Sequence, residues 1–231
     1  MATRLERHYD VAPMFAGHLA VALGAKKIEP KLPLPVLVAS AYAADLLWPV
    51  FLLVGLETVR IEPGNTAFTP LNFVSYPWSH SLAMNLVWAA IAGHFARKAF
   101  RSLRAGLVVS ALVVSHWVLD YFMHRPDLPL WPFGPRVGLG LWESVSGTIE
   151  VEGLLFAAGI AIYHHTTKAT DAKGKWGFVA LVLAVGAAWL SGPFSPPPPS
   201  VGALTIVALI LAVILPLWAA WLERHRTVKP F

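Results

Sequence analysis

The chain has 231 residues, of which 56% are hydrophobic and only 13% are charged, and its mean hydropathy is +0.59. A soluble domain carries roughly 25% charged residues, so the composition excludes an ordinary soluble protein and predicts an integral membrane protein of packed helices. The net charge of +5 is divided among short clusters between apolar runs, which argues against a nucleic-acid-binding surface, and the absence of cysteine excludes disulfides and thiolate metal sites.

Apolar runs dominate the chain from end to end. Each is long enough, or nearly so, to cross a hydrocarbon core of about 30 Å at about 1.5 Å per residue. We therefore expect an all-α fold, a polytopic membrane helix bundle with six or seven transmembrane helices that forms one domain, 1–231. The runs are 34–56, 78–96, 105–123, 150–165, 176–192 and 201–222, with a seventh at 12–25 that is either a short span or a re-entrant helix.

Basic residues gather in four clusters that fall on one side of the membrane if each long run crosses once. The positive-inside rule then predicts a multi-pass membrane protein with a cytoplasmic C-terminus and with loops 57–77, 124–149 and 193–200 outside. The clusters are Lys26, Lys27 and Lys31; Arg97, Lys98, Arg101 and Arg104; Lys168, Lys173 and Lys175; and Arg224, Arg226 and Lys229.

The stretch SHWVLDYFMHRPD, residues 115–127, ends one of these runs and carries three ionisable groups at four-residue spacing. In a helix, His116, Asp120 and His124 lie on nearly one face. Imidazole and carboxylate are ligands of zinc and related divalent metals. Hydrogen-bonded packing histidines, with Asp120 paired to Arg125, are the structural alternative. Ionisable groups inside a membrane are costly and usually functional, so three in register favour a metal site.

Further candidate ligands come from earlier runs. Asp45 is the only charged residue in 34–56, and His80 follows a proline that suits the first turn of a helix. Ser79 and Ser81 flank His80 and could orient its ring. His18 lies in the middle of run 12–25. A single cluster that holds all of them requires tilted helices.

Two acidic residues open the fourth run from the outer side. Glu150 is the better candidate ligand, whereas Glu152 is expected to face the lipid headgroups. The core of the predicted metal site is therefore 12–152, and 176–231 supplies two additional transmembrane helices.

The motifs resemble those of a bacterial inner-membrane family described as membrane-bound metal-dependent hydrolases. The resemblance covers roughly 14–152 and rests on GHLAVALG, on Asp45, on SHSL at 79–82 and on SHWVLDYFMHRPDLPL at 115–130. That family is distantly similar to zinc-dependent phospholipases C and single-strand nucleases, whose zinc cluster uses a His-x-x-x-Asp pair on one helix. The resemblance implies that His116 and Asp120 are this pair.

The same resemblance implies that His18, Asp45 and His80 correspond in order to the earlier ligands of those enzymes. His124 is closer in sequence than the corresponding histidine of the soluble enzymes. Their later His-x-x-x-Glu pair has no match in this chain, and Glu150 is a loose substitute.

The resulting hypothesis is a membrane-embedded hydrolase that acts on a phosphoester such as a phospholipid. A divalent metal, with zinc as the expected ion, would activate a water at the outer leaflet. Asp45 and Asp120 are the candidate catalytic residues, and Asp45 is either a ligand or the general base. Arg125 and Arg136 would stabilise charge on the substrate phosphate.

The alternative is a transporter of protons or divalent metals through the His/Asp ladder, since such residues also mark ion pathways. A haem protein with paired histidines is disfavoured because Asp120 lies between them. The expected partner is membrane lipid and not nucleic acid.

Overall fold

The computed structural model describes residues 16–230, which are mostly helical (68%). Its helices are α1 (Ala16–Ile28), α2 (Leu34–Ala41), α3 (Ala43–Leu53), α4 (Pro77–His80), α5 (Leu82–Phe100), α6 (Leu103–Met123), α7 (Val145–Thr166), α8 (Ala172–Ser191) and α9 (Val201–Glu223). Short 3-10 turns cover Leu141–Glu143 and Gly192–Phe194. Residues 12–15 of the first predicted run lie outside the described residues.

Three two-stranded antiparallel sheets join the helices at their ends. The strands are β1 (Thr58–Ile61) with β2 (Leu71–Ser75), β3 (Leu128–Pro129) with β4 (Arg136–Val137), and β5 (Thr167–Ala169) with β6 (Arg226–Val228). The first two pairs connect helices at one end of the bundle. The third pair lies at the opposite end, where α7 and α9 finish.

Within residues 16–230, four helices are long and apolar enough to cross a membrane, or five if the bent pair α2 and α3 forms one span. They are Leu103–Met123, Val145–Thr166, Ala172–Phe194 and Val201–Glu223. The predicted six or seven spans are therefore not confirmed. The 13 residues of α1 rise only about 20 Å, and α5 carries Asn85 and the basic pair Arg97 and Lys98.

Two predicted runs are interrupted, and both interruptions matter for the site. The run 34–56 bends by 58° between α2 and α3. Ser40 Oγ donates to the carbonyl of Val36 at 2.7 Å, a back-bond that bends helices. The run 78–96 breaks at Ser81, whose extended backbone ends α4 and whose hydroxyl caps α5 by accepting from the amide of Met84.

Small residues set the close helix crossings that position α1 and α6. A Cβ added to Gly93 of α5 would lie 2.8 Å from the carbonyl oxygen of Gly106 in α6, and one added to Gly159 of α7 would lie 2.5 Å from Cα of Ala20 in α1. Backbones that approach this closely leave no room for larger side chains, as is common between membrane helices. The hairpin of α5 and α6 and the pair of α1 and α7 are fixed in this way.

The four basic clusters predicted to share one side of the membrane do lie at one end of the bundle. Lys26 at the end of α1 forms an ion pair with Glu223 at the end of α9, with Nζ 2.7 Å from Oε1. Arg104 at the start of α6 pairs with Glu29 just after α1, at 3.4 Å. Strand β6 then pairs with β5 next to the start of α8. We call this the basic end.

Candidate metal centre

At the opposite end of the bundle, the structure brings five of the predicted side chains together. His18 is the third residue of α1, Asp45 is the third residue of α3, and His80 is the last residue of α4. His116 and Asp120 project from one face of α6, about 5 to 10 Å before that helix ends. The group joins four helices that are separate in sequence.

Four of these side chains meet around the Nε2 atoms of His80 and His116. His80 Nε2 and His116 Nε2 are 3.4 Å apart. Asp45 Oδ1 lies 3.6 Å from the first and 3.8 Å from the second. Asp120 Oδ2 lies 3.8 Å from the first and 3.2 Å from the second. Ligands bonded to a tetrahedral zinc at about 2.0 to 2.1 Å are about 3.3 Å apart, so this spacing fits a divalent ion at the centre.

A buried relay fixes the proton on the His80 ring. Glu57 lies between α3 and β1, and its Oε2 accepts a hydrogen bond from Ser79 Oγ at 2.6 Å. The single hydroxyl proton is then used, so Ser79 Oγ must accept from His80 Nδ1, which lies 2.6 Å away. The neutral ring therefore carries its proton on Nδ1 and turns the lone pair of Nε2 to the centre.

The His116 ring is fixed in the same sense by a different partner. Its Nδ1 lies 2.9 Å from the carbonyl oxygen of Ala41, and a carbonyl can only accept. Ala41 is the last residue of α2, and carbonyls at a helix end are free to accept such bonds. The Nε2 of His116, like that of His80, therefore carries a lone pair when the ring is neutral. A hydrogen bond between the two Nε2 atoms would need an additional proton, whereas a shared cation satisfies both.

The carboxylates have oxygens left over in the same place. Asp120 Oδ2 accepts no hydrogen bond although it lies 3.2 Å from His116 Nε2, and Asp45 Oδ2 is also buried without a hydrogen-bond partner within residues 16–230. Buried polar atoms are normally satisfied, and an unpaired buried carboxylate is costly. The donor set, the spacing and these orphaned oxygens all fit a bound divalent metal.

A second grouping shares residues with the first. His18 Nε2 lies 3.3 Å from Asp120 Oδ1, and the His18 ring stacks on the His116 ring at 3.9 Å between centroids. Ligand atoms of these three residues lie within 4.8 Å of one another. Asp120 thus presents one oxygen to each grouping, so it would be a ligand in either grouping that held an ion. The other nitrogen of His18, Nδ1, is buried and has no hydrogen-bond partner within residues 16–230.

The structure does not bring His124 into either grouping. Helix α6 ends at Met123 because Arg125 precedes a proline and is disfavoured in helical conformation. His124 is already extended, and its Nδ1 lies 2.9 Å from Asp127 Oδ1 and 3.2 Å from the Tyr76 hydroxyl. Burial would raise the pKa of Asp127, but the contacts with His124, Tyr76 and Arg125 hold that pKa below its usual range. The row of candidate ligands on α6 therefore ends at Asp120, one turn earlier than predicted.

The structure also exchanges the roles expected for the two acids of α7. Glu150 is exposed, whereas Glu152 is buried. The carboxylate of Glu152 accepts from Trp189 Nε1 at 2.7 Å and from the amide of Gly17 at 3.3 Å, next to His18. Sequence reasoning missed this contact because Trp189 lies in α8, outside the expected site, and nothing local links it to Glu152.

The two predicted phosphate-binding arginines lie outside the cluster. Arg125 donates to Asn72 Oδ1 at 3.1 Å. Arg136 is exposed, donates to the carbonyl of Val74 at 2.7 Å, and lines a cavity of about 280 Å³ together with Tyr76. Tyr76 separates this cavity from His80, with ring centroids 5.3 Å apart.

Sequence reasoning also missed Glu57, which is buried with 3% exposure. It directly follows the run 34–56, and an acid at that position has the same local pattern as an ordinary loop residue. The only available signal was the serine next to His80, which indicated an oriented ring but not the acid behind it.

A buried His/Asp cluster held by interrupted helices, inside a bundle with four or five candidate spans, defines a helical membrane protein with a buried ionisable site. More narrowly, the chain belongs to the YdjM inner membrane protein family, whose model matches residues 14–195. No curated protein and no solved structure matches the chain. The family description supports the inner-membrane part of the sequence prediction and says nothing about a reaction.

Proposed function

We propose that this protein is a membrane-embedded, metal-dependent hydrolase that acts on a phosphoester such as a phospholipid. One observation carries the proposal: the Nε2 atoms of His80 and His116 are 3.4 Å apart, and one oxygen each of Asp45 and Asp120 lies 3.2 to 3.8 Å from both, a donor set that a shared cation would satisfy. When bound, a divalent metal such as zinc supplies Lewis acidity that brings the pKa of a coordinated water to about 7.

Each residue of the cluster has its own role in the proposed site. His80 and His116 hold the ion through nitrogens whose tautomers are set by Ser79 and by the carbonyl of Ala41. Asp120 holds the ion and carries the His18 contact on its other oxygen. Asp45 either ligates the ion or accepts a proton from the attacking water, since its Oδ2 is unpaired.

Asp45 is the side chain of the cluster that lies closest to the surface. The Asp45 side chain is 20% exposed, whereas the other four side chains are between 1% and 8% exposed. Asp45 lines a narrow crevice of about 10 Å³ between α2, α3 and α9, whose other walls are apolar side chains and Tyr42. This space suits a single water beside Asp45. Arg136, at its separate cavity, would attract the phosphate from the loop side.

Activity of the reconstituted full-length protein toward a panel of phospholipids and soluble phosphodiesters tests this proposal. We expect turnover that requires added divalent metal and that falls about 10² to 10⁴-fold in Asp45→Asn, since the amide keeps the shape but loses the charge and basicity. His94→Ala is the matched control, because His94 is exposed on α5, outside the cluster, and it should leave turnover nearly unchanged.

The transport hypothesis makes the opposite set of predictions. If every substrate is inert in the presence of metal, while protons or metal ions cross liposomes in an Asp120-dependent way, the protein is a transporter and the hydrolase proposal is wrong.

We also propose that the basic end faces the cytoplasm, as the positive-inside rule predicts. Single cysteines at Ala67, in the β1–β2 loop, and at Lys173, at the start of α8, test this in intact cells with an impermeant thiol reagent. Both positions are exposed, and the native chain has no cysteine to interfere. We expect label at Ala67→Cys only; label at Lys173→Cys alone would invert the topology.

A further inference from the structure

A groove of about 610 Å³ lies between α1, α6 and α7, away from the crevice at Asp45. Its walls are apolar apart from one serine, Ser115, and two cations, Lys27 and Arg104, which lie where α1 ends and α6 begins. The apolar walls include Ala20, Gly24, Ala111, Leu112, Ala158 and Ile162. The groove is thus open and apolar along its length and positively charged at the basic end.

The depth of the groove matches one leaflet of a bilayer. Along α6 it extends from Arg104 to Ser115, eleven residues, or about 17 Å at the rise of an α-helix. The hydrocarbon core of a bilayer is about 30 Å thick, so one leaflet is about half of that. A transmembrane helix from a partner would need a groove that continues to the other face.

The groove ends where α1, α6 and α7 come together beneath the cluster. A Cβ on Gly17 would lie 3.1 Å from Glu152 Oε1, 3.6 Å from Leu155 Cδ2 and 3.8 Å from Leu119 Cδ1. The apolar space is therefore closed toward the cluster and open toward the basic end, so a molecule in it would carry its polar group at Lys27 and Arg104.

The charges at that end are only partly used within the protein. Arg104 is paired with Glu29 and donates to the carbonyl of Ile28, but its side chain is still 68% exposed. Lys27 is exposed and makes no ion pair within residues 16–230. Cations at a membrane surface attract anionic lipid headgroups, and a lysine or arginine can contact a phosphate directly.

From the depth, the apolar walls and the charge at one end, we propose that this groove binds an anionic phospholipid. An acyl chain lies along Ala111 and Ala158, and the phosphate contacts Lys27 and Arg104. This site is separate from the metal cluster and does not depend on the proposed hydrolase activity.

Native mass spectrometry of the full-length protein tests the site. The protein is released from micelles that contain palmitoyl-oleoyl phosphatidylglycerol or phosphatidylcholine, two lipids with identical acyl chains. We expect retained phosphatidylglycerol, about fivefold in excess over phosphatidylcholine, since one cation near an anionic headgroup has about this effect. Lys27→Gln should remove most of this excess, and Lys27→Arg should restore it.

Ala111→Phe tests the apolar part, since its new ring would fill the groove from an exposed position. It should reduce retention of both lipids. The matched controls are Lys98→Gln and Ala90→Phe, at exposed positions of α5 outside the groove, and both should retain lipid as the wild type does.

Three results would overturn the proposal. Lys98→Gln could lower retention as much as Lys27→Gln, which would mean that surface charge in general is responsible. Glycerophosphate without acyl chains could compete fully, which would identify a site for free phosphate. Ala111→Phe could leave lipid retention intact and instead abolish a dimer peak, which would assign the groove to a second copy of the chain.

Discussion

Buried polar groups have hydrogen-bond and ion-pair partners at one end of the bundle and lack some of them at the other, among residues 16–230. At the basic end, Lys26 is 2% exposed, yet it is fully paired, with Glu223 and with the carbonyl of Leu32. Arg226 is equally enclosed and donates to Thr167 and to the carbonyl of Gly174. At the cluster end, carboxylate oxygens and a ring nitrogen are buried without hydrogen-bond partners among residues 16–230. Buried polar atoms are normally satisfied, so a bound cation would complete the cluster end, whereas the basic end is already paired within the protein.

This contrast also separates the histidines. His225 at the basic end has a carboxylate partner, with Nδ1 2.7 Å from Asp171 Oδ2. His80 and His116 use Nδ1 for an anchor on the protein and leave Nε2 for the centre. An anchored Nδ1 with a free Nε2 is the usual state of a metal-bound histidine, and the anchoring partner sets the ring orientation.

The largest expected effect is loss of metal from the cluster end. His116→Ala and Asp120→Ala each remove a proposed ligand near the centre of the site. We therefore expect the metal content per chain, measured by elemental analysis of purified protein, to fall from stoichiometric in the wild type to near zero. His225→Ala is the control from the basic end and should retain metal. Stoichiometric metal that survives both cluster substitutions would contradict the assignment.

The next effect concerns Glu57, which touches no proposed ligand atom directly. Glu57→Gln replaces an acceptor-only carboxylate by an amide that can donate to Ser79, so the Ser79 hydroxyl is no longer committed and the His80 tautomer is no longer fixed. We expect metal affinity, measured by competition with a chelator, to fall about 10 to 100-fold, as for other partners of metal-bound histidines. Glu62→Gln, an acid of the same hairpin that bonds Asn72, should leave affinity unchanged.

A structural role for Glu57 alone would give a different result. In that case the metal-free Glu57→Gln protein would lose thermal stability, while the metal affinity of the folded fraction stayed at the wild-type value. Glu57 would then contribute to packing and not to the orientation of His80.

The smallest effect belongs to the basic end and should appear in stability only. Glu223→Gln leaves Lys26 buried without its charge partner. Because the Glu223 side chain is itself 32% exposed, water offsets part of the loss, and we expect the free energy of unfolding to fall by about 1 to 2 kcal/mol. Unfolding in mixed micelles measures this change, with metal content as the parallel readout. Loss of metal in this variant would mean that the two ends are coupled and would break the contrast.

The sequence predicted the parts of the site that depend on local periodicity. His116 and Asp120 share a face of α6 because residues four apart in any helix do so. Asp45 was identified as a candidate because ionisable groups are costly in a membrane, His18 because it lies in the middle of run 12–25, and His80 because it follows Pro77 and is flanked by serines that could orient its ring. The sequence also predicted His124 as a ligand and preferred Glu150 over Glu152. The structure places His124 outside both groupings and leaves Glu150 exposed.

Two of the predicted runs contain helix breaks that hydropathy alone does not report. Hydropathy measures the apolar length of a segment, and the segments 34–56 and 78–96 have that length. It does not report where a helix breaks, because the back-bond of Ser40 and the extended backbone of Ser81 are determined by hydrogen bonds and packing in the folded chain. Those breaks are what place Asp45 and His80 at helix ends that point to α6.

By itself, then, the amino-acid sequence determined that the chain enters a membrane as helices, that its basic clusters share one end, and that His116 and Asp120 act as a pair. These follow from composition and from the 3.6-residue period, which are local properties. Only the tertiary structure decided which other groups join the pair, because Glu57 and Glu152 acquire their partners from distant segments. A buried carboxylate must find donors wherever the packed backbone provides them, and that choice is made by the whole fold.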